Sequence, residues 1–382
     1  MEKRMIDRKI LRASAMLIGT IIGAGIFGIP YAFSKIGFWA GVGYLIVLGT
    51  VVLMLNLSHG EVVLSTHGRH QLSGYAEKYL GKKGKVLALL SMFFGFYGAL
   101  TAYIIKVGEF LRTLTSTGSS FGWSLIFFGV MAFLVLLGVK LISRFQLVLG
   151  FLLIIVLVLI CGMGLSWFNP SNLSHFDPSF FFMPYGVILF ALGGASIIPE
   201  MGGIFKREER GKLKKAIIFG TVIPITLYCI FALVIVGITG LNTSDDAIGG
   251  LVNLHPFMTY LGAFLGTLTM SSTFLSLGTI LKDLYHYDFH FPPFLAWAAA
   301  CFIPLLLFIS GVTEFITLIM MAGSLMGGFE GIVIIYSHRK AQIAGDKKPE
   351  FSIRIPTSIE YILIVVFALG VVYEIVSFLQ KV

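Results

Sequence analysis

The chain has 382 residues, of which 57% are hydrophobic and only 12% charged, with a mean hydropathy of +0.92. A water-soluble globular protein carries about a quarter charged residues to keep its surface in solution, so this composition excludes an ordinary soluble protein. The net charge of +9 would suit nucleic acid, but the placement of that charge excludes this partner as well.

In chain order, apolar runs fall near 13–35, 40–64, 86–112, 123–139, 145–168, 182–204, 213–240, 255–281, 292–310, 314–337 and 358–380. Most are longer than the ~20 residues that cross a bilayer core as helix. Helix is the expected form, because it satisfies its own backbone in lipid. The expectation is an all-α polytopic membrane protein of about eleven transmembrane helices. The first run is too long for a signal peptide, and aromatics and Lys35 follow it where a small-residue cleavage site would stand. Cys161, Cys229 and Cys301 lie inside runs without CxxC spacing and read as small core residues, with no disulfide framework or metal site.

With loops numbered alternately from a cytoplasmic N-terminus, basic residues gather on one side. They are Lys3 to Arg12, Arg69 to Lys85, Lys140 and Arg144, Lys206 to Lys215, Lys282, and Arg339 to Arg354. Elsewhere only Lys35, Arg112, Lys381 and the intrahelical Lys106 remain. This positive-inside bias places the N-terminus in the cytoplasm and the C-terminus outside, in a cell membrane.

The first and sixth runs share an unusual pattern. Gly23-Ala24-Gly25 precedes Pro30, and Gly193-Gly194-Ala195-Ser196 precedes Pro199; both Gly25 to Gly194 and Pro30 to Pro199 are offsets of 169 residues. The same shift carries runs two to five onto runs seven to ten, within a few residues for most. Five is odd, so the second copy enters from the opposite side. The expected organisation is a first repeat over 1–168, an inverted repeat over 182–337 and an added helix at 358–380. Each glycine weakens a helix by ~1 kcal/mol relative to alanine, and proline removes a backbone hydrogen bond. Two helices broken at symmetric positions point to a transporter's binding site. The alternative for each break is close packing of small residues.

The segment from Gly19 through Gly23-Ala24-Gly25-Ile26-Phe27-Gly28-Ile29-Pro30, with Gly37-Phe38, resembles the first helix of the amino acid/auxin permease group, and most closely the bacterial aromatic and hydroxy amino acid permeases. Ala99 to Ile104 with Gly108 is similar to that group's third helix, and Ser272-Thr273-Phe274-Leu275 with Gly278 and Asp283 to its eighth. The resemblance implies the leucine-transporter fold of the amino acid–polyamine–organocation superfamily and an amino acid substrate.

A zwitterion needs donors for its carboxylate and acceptors for its ammonium, and a broken helix exposes both. The carboxylate is expected at backbone N–H groups of Gly23, Ala24, Gly25 and Ile26, and the ammonium at carbonyls around Thr20, Ile21, Phe190 and Ala191. No charged side chain stands in the breaks, which favours a neutral substrate. Its side chain is expected among Gly98, Thr101, Ala102, Gly194, Ala195 and Ser324, whose small size leaves room for an aromatic group or, alternatively, serves helix packing. Tyr97 and Tyr103 are substrate contacts or packing residues.

Thr269, Ser272, Thr273 and Ser276 share one helix face. The resemblance implies a sodium site of the Gly19, Ile22 and Thr269 carbonyls with the Ser272 and Thr273 hydroxyls; alternatively these hydroxyls bond back to their own helix. No other cofactor is expected. Ionisable groups within membrane helices are functional candidates. Glu61 resembles the superfamily carboxylate that braces the unwound part of helix six, and Glu200 is a second candidate proton carrier. Lys106 and Glu109, three residues apart, can pair near the outer mouth. Glu330 has no role that the sequence supports.

The expected function is ion-coupled uptake of neutral amino acids, aromatic ones among the candidates, driven by sodium or protons, with substrate and lipid as partners and no obligatory protein partner. A transporter-like amino acid receptor without net flux is the alternative. A membrane enzyme would need clustered catalytic groups, and a channel would need a filter motif; neither is present in the sequence.

Overall fold

The computed structural model describes residues 2–68, 70–138, 148, 152, 155–160, 162–251, 256–287, 289–312 and 314–380. Arg69, Lys140, Arg144, Cys161 and Lys381 lie outside these, as does much of the fifth apolar run. The helices are α1 (Glu2–Ile21), α2 (Gly25–Ile36), α3 (Phe38–Ser65), α4 (Leu72–Thr115), α5 (Ser120–Leu136), α6 (Met183–Ala191), α7 (Ile198–Gly202), α8 (Leu213–Thr239), α9 (Pro256–Tyr287), α10 (Pro293–Ile309), α11 (Phe315–Ala344) and α12 (Thr357–Leu379).

Seven spans among the described residues are long and apolar enough to cross a membrane, with α6 and α7 together forming one of them. The pair α1 and α2, bent by 58° at its break, forms a further span. Ser120–Leu136, Ile155–Trp167 and Pro293–Ile309 are shorter apolar helices that occupy the fourth, fifth and ninth runs. The chain is a multi-pass membrane protein.

Both predicted breaks occur. Helix stops at Ile21 and resumes at Gly25; in the second half it stops at Ala191, passes through a 3-10 turn at Ala195–Ile197, and resumes at Ile198. Pro199 lies in the first turn of α7, where its missing N–H costs nothing. Pro30, by contrast, sits inside α2. One element differs from expectation. Helix three was read as starting near 86, but α4 starts at Leu72 and turns at Gly81, whose φ of 70° only glycine adopts readily. The first turns of α4 therefore form an arm, with Lys82, Lys83 and Lys85 just past the bend.

Packing sorts the helices into two groups. The broken spans pack with α3 and α8, since α1 and α3 both lie on α8 and α2 lies on α6. The other group is α4, α5, α9 and α10. Each group contains corresponding helices from the two halves of the chain, as an inverted five-plus-five repeat requires. Helix α11 joins the groups, packing on α4, α6, α3 and α12. Lipid supplies no hydrophobic drive between helices, so close backbone approach does much of the holding. A Cβ on Gly323 would lie 2.0 Å from the Gly186 carbonyl oxygen, and one on Gly98 would lie 2.6 Å from the Ala322 Cβ.

The segments that the charge pattern places on one side meet at one face, the N-terminal face. Lys9 pairs with Glu209, and Lys78 pairs with Asp346. The Asp346 carboxylate also accepts from the His67 N–H at 2.7 Å; that hydrogen bond and the Lys78 ammonium hold its carboxyl below the usual carboxylate range.

Candidate functional site

The two breaks lie against each other. A Cβ on Gly25 would stand 2.3 Å from the Ala191 Cα, so only glycine allows the broken spans to touch here. Gly194 packs on Leu17 and Ile21 of α1, and Gly23 faces the Tyr103 hydroxyl and Thr273. A cavity of ≈ 690 Å³, open solvent at its mouth included, surrounds this junction. Thr20, Ile21, Gly23, Ala24, Gly25, Phe190, Gly194 and Ala195 line it, so most of the residues expected at the breaks are together. Ile26 and Ala191 are buried and lie outside its wall.

The backbone groups divide differently from expectation. Gly25 and Ile26 begin α2, where N–H groups have no preceding helical carbonyl and the helix dipole favours an anion. The Gly23 N–H, however, donates to the Ile21 carbonyl at 3.0 Å. The fully buried Tyr228 hydroxyl of α8 lies 2.8 Å from the Ile21 oxygen and 3.0 Å from the Ala191 oxygen. Two carbonyls expected to receive an ammonium therefore already accept from a phenol. Tyr228 carries no sequence signal, because a lone tyrosine in an apolar run reads as packing.

The side-chain subsite also differs. The α4 wall is Leu72, Ser91, Met92, Gly95, Phe96, Ala99 and Tyr103, while Gly98, Thr101 and Ala102 lie outside it. Gly98 meets Ala322, Ala102 is fully buried, and the Thr101 hydroxyl donates to the Tyr97 carbonyl. Ser324 donates to Glu374. Along a helix the faces turn by 100° per residue, and the sequence could not show which α4 face meets the breaks. The remaining wall is Gly193, Leu277 and Met326 with the polar Gln71, Ser196, Thr273 and Glu330, and no Lys or Arg lines the cavity. Tyr97 bonds to Tyr285 at 2.6 Å, away from the cavity.

Of the five residues offered for sodium, only Thr273 lines the cavity. Its hydroxyl donates to the Thr269 carbonyl at 2.9 Å, and the Thr269 hydroxyl donates to the Leu265 carbonyl at 3.0 Å. These protons serve α9 itself, so the side chains can offer a cation lone pairs only. Gly19, Ile22 and Ser272 lie outside the cavity wall.

Glu61 does not brace helix six. Its buried carboxylate accepts from Ser352 Oγ and the Ile353 N–H, both at 2.8 Å, from Gln342 Nε2 at 3.3 Å, and lies 2.9 Å from His338 Nε2. It ties α3 to the end of α11 and the segment after it. Its position on α3, too close to the N-terminal face, explains the difference. Glu200 is exposed on α7 and does not line the cavity.

Opposite the N-terminal face the cavity is sealed. Phe27 packs edge-on against Phe110 and Phe231, at 5.6 and 6.4 Å between ring centres. One turn before Phe110 on α4, Lys106, 2% exposed, pairs with Glu109 at 2.6 Å, Asp245 at 3.3 Å and Asp246 at 3.9 Å. The Glu109 pair was legible from its spacing. Asp245 and Asp246 arrive from the loop after α8, which sequence spacing could not reveal. The lining residues Gln71 and Leu72 mark the N-terminal face as the side toward which the cavity leads.

The model of the tryptophan/tyrosine permease family matches residues 6–377, nearly the whole chain. The chain belongs to that family. Among its relatives, the tyrosine-specific transport system 2 of Haemophilus influenzae is 25% identical over 400 aligned positions, covering 98% of this chain and 97% of the relative. Glutamine transporter 2 of Aliivibrio fischeri is 22% identical over 299 positions, covering 73% and 76%. Among solved structures, MhsT in complex with L-phenylalanine matches with a TM-score of 0.70 at 16% identity, over 94% of this chain and 98% of that one. The permease thus has the leucine-transporter fold. It is a secondary amino acid transporter and not an enzyme.

Proposed function

We propose that the permease takes up neutral, chiefly aromatic, amino acids by alternating access in the plasma membrane, coupled to an inward cation gradient. The observation that carries this reading is the cavity at the junction of the two breaks. Its wall offers helix-start N–H groups to a carboxylate, an apolar surface of Met92, Phe96, Phe190, Leu277 and Met326 to a large side chain, and no basic group. The names of the tyrosine and L-phenylalanine binding relatives support the aromatic assignment. The N-terminus is cytoplasmic and the C-terminus outside, a reading that rests on the basic N-terminal face. The structure then corresponds to a state sealed outside by Lys106 and Phe27. The two repeats occupy 1–168 and 182–337, with 358–380 added.

Two cations suit the residues present: sodium near Thr273 with the oxygens of Gly19, Ile22, Thr269 and Ser272, or a proton on a carboxylate. The test is uptake of labelled tyrosine, tryptophan, phenylalanine and glutamine into proteoliposomes, with sodium and pH gradients imposed separately. Accumulation of aromatic substrates under one gradient is the expected result. Binding without uptake or exchange under any gradient would replace the transporter with the receptor reading.

A further inference from the structure

Glu330 lines the cavity wall but has no role assigned to it so far. It lies midway along α11 and lines two cavities at once. One is the substrate cavity. The other, ≈ 320 Å³, is bounded by Leu55 and Asn56 of α3 and by the unwound stretch after α6. Gly193, Gly194 and Ala195 line both cavities, so Glu330 shares each of them with the helix-six break. This is the position that the family resemblance implies for Glu61.

Among the described residues, no cation pairs with Glu330. Lys106 is the only buried Lys or Arg among them, and it is held by Glu109, Asp245 and Asp246. Few titratable groups line the two cavities beside Glu330. From α4 the cavity wall presents Tyr103; from α3 it presents the neutral Asn56, while Glu61 is engaged by His338. From the broken spans it presents glycine, Ala195 and Ser196, from α9 Thr273, and from α12 nothing; Glu374 of α12 bonds to Ser324 instead. A carboxylate within a membrane protein is costly unless a partner neutralises it, and no side chain here does so.

We propose that Glu330 is the proton-binding site that couples transport to the proton gradient. The inference rests on the uptake reading and supplies its cation. The carboxylate takes a proton from water on the outside, carries it as a neutral carboxyl while substrate is enclosed, and returns it to water on the inside. Only the O–H bond forms and breaks, and one zwitterion with one proton moves one positive charge per cycle. The ionised form can accept from backbone N–H groups of the break beside it, whereas the neutral form releases them. This difference links protonation to the shape of helix six.

The test uses the full chain in proteoliposomes containing a pH-sensitive dye, with L-tyrosine, L-tryptophan and L-glutamine as probes. The wild type is expected to acidify the lumen when substrate is added without sodium, and to accumulate substrate under an inward proton gradient. In Glu330→Gln, exchange of internal for external substrate should persist, while accumulation falls to equilibration and substrate-linked acidification disappears. Glu330→Asp should retain coupling with a displaced pH profile. Accumulation and acidification in Glu330→Gln at wild-type levels would overturn the proposal. If Glu330→Gln does not fold, Glu330→Asp decides, and an unshifted profile overturns it. Sodium-driven uptake by the wild type without acidification would overturn proton coupling but leave amino acid uptake standing. Loss of both exchange and uptake in the wild type, for every probe, would instead defeat the transporter reading.

Discussion

At the residue scale, two atoms-wide contacts hold the breaks together. Gly25 touches the Ala191 backbone, which has no side-chain end to move aside, so Gly25→Ala should abolish uptake and reduce the folded yield in detergent. Gly129 provides the control. A Cβ there meets nothing within 4 Å, so Gly129→Ala should leave uptake intact and the melting temperature equal or higher. Tyr228 is the second contact. Tyr228→Phe withdraws the hydroxyl proton that the Ile21 and Ala191 carbonyls share. Leaving buried acceptors unpaired costs about 1–3 kcal/mol, and a lower melting temperature in detergent checks it. The same variant frees both carbonyls for an ammonium, so substrate should protect it against heating more than it protects the wild type.

At the scale of elements, the N-terminal face is clamped by carboxylates that bridge helices distant in sequence. Glu61 secures α3 to the end of α11, and Asp346 binds His67 and Lys78. The Asp346 carboxyl is held below its ordinary value, so its contribution is present above its unfolded pKa of about 4. It is lost as pH falls through the lower folded value. A pH titration of thermal stability should show the wild type losing its advantage over Asp346→Asn only in that acidic range; equal curves at neutral pH would refute the clamp. On α9, Ser272→Ala combined with Thr273→Ala should abolish sodium-driven uptake if these hydroxyl lone pairs hold the ion, and should spare uptake driven by protons.

At the scale of the molecule, the cavity leads toward the N-terminal face, and the Phe27 cluster and the ion pairs of buried Lys106 lie on the opposite side. Asp245→Asn with Asp246→Asn removes two of the three carboxylates around Lys106 and should shift the population toward a state open on that side. Spin labels at Asn242 and Ser310, both exposed, should report longer distances in the variant. An unchanged distribution would show that the Phe27 cluster alone maintains the seal.

The membrane-spanning, all-helical character and the two helix breaks were legible from the sequence because each has a local cause. Apolar length sets a span, and glycine and proline interrupt a helix wherever they stand. The Lys106–Glu109 pair was legible for the same reason, since one helical turn joins it. What the breaks face was decided by tertiary structure. Rotation of α4 about its axis brings Ala99 and Tyr103 to the cavity and turns Gly98 and Thr101 away, and no local pattern in an apolar helix records that angle. The depth of Glu61 along α3 directs it to His338, the loop after α8 delivers Asp245 to Lys106, and the placement of α11 between the two packing groups sets Glu330 beside the helix-six break. These are contacts between residues about a hundred or more positions apart, formed by packing that depends on the whole chain.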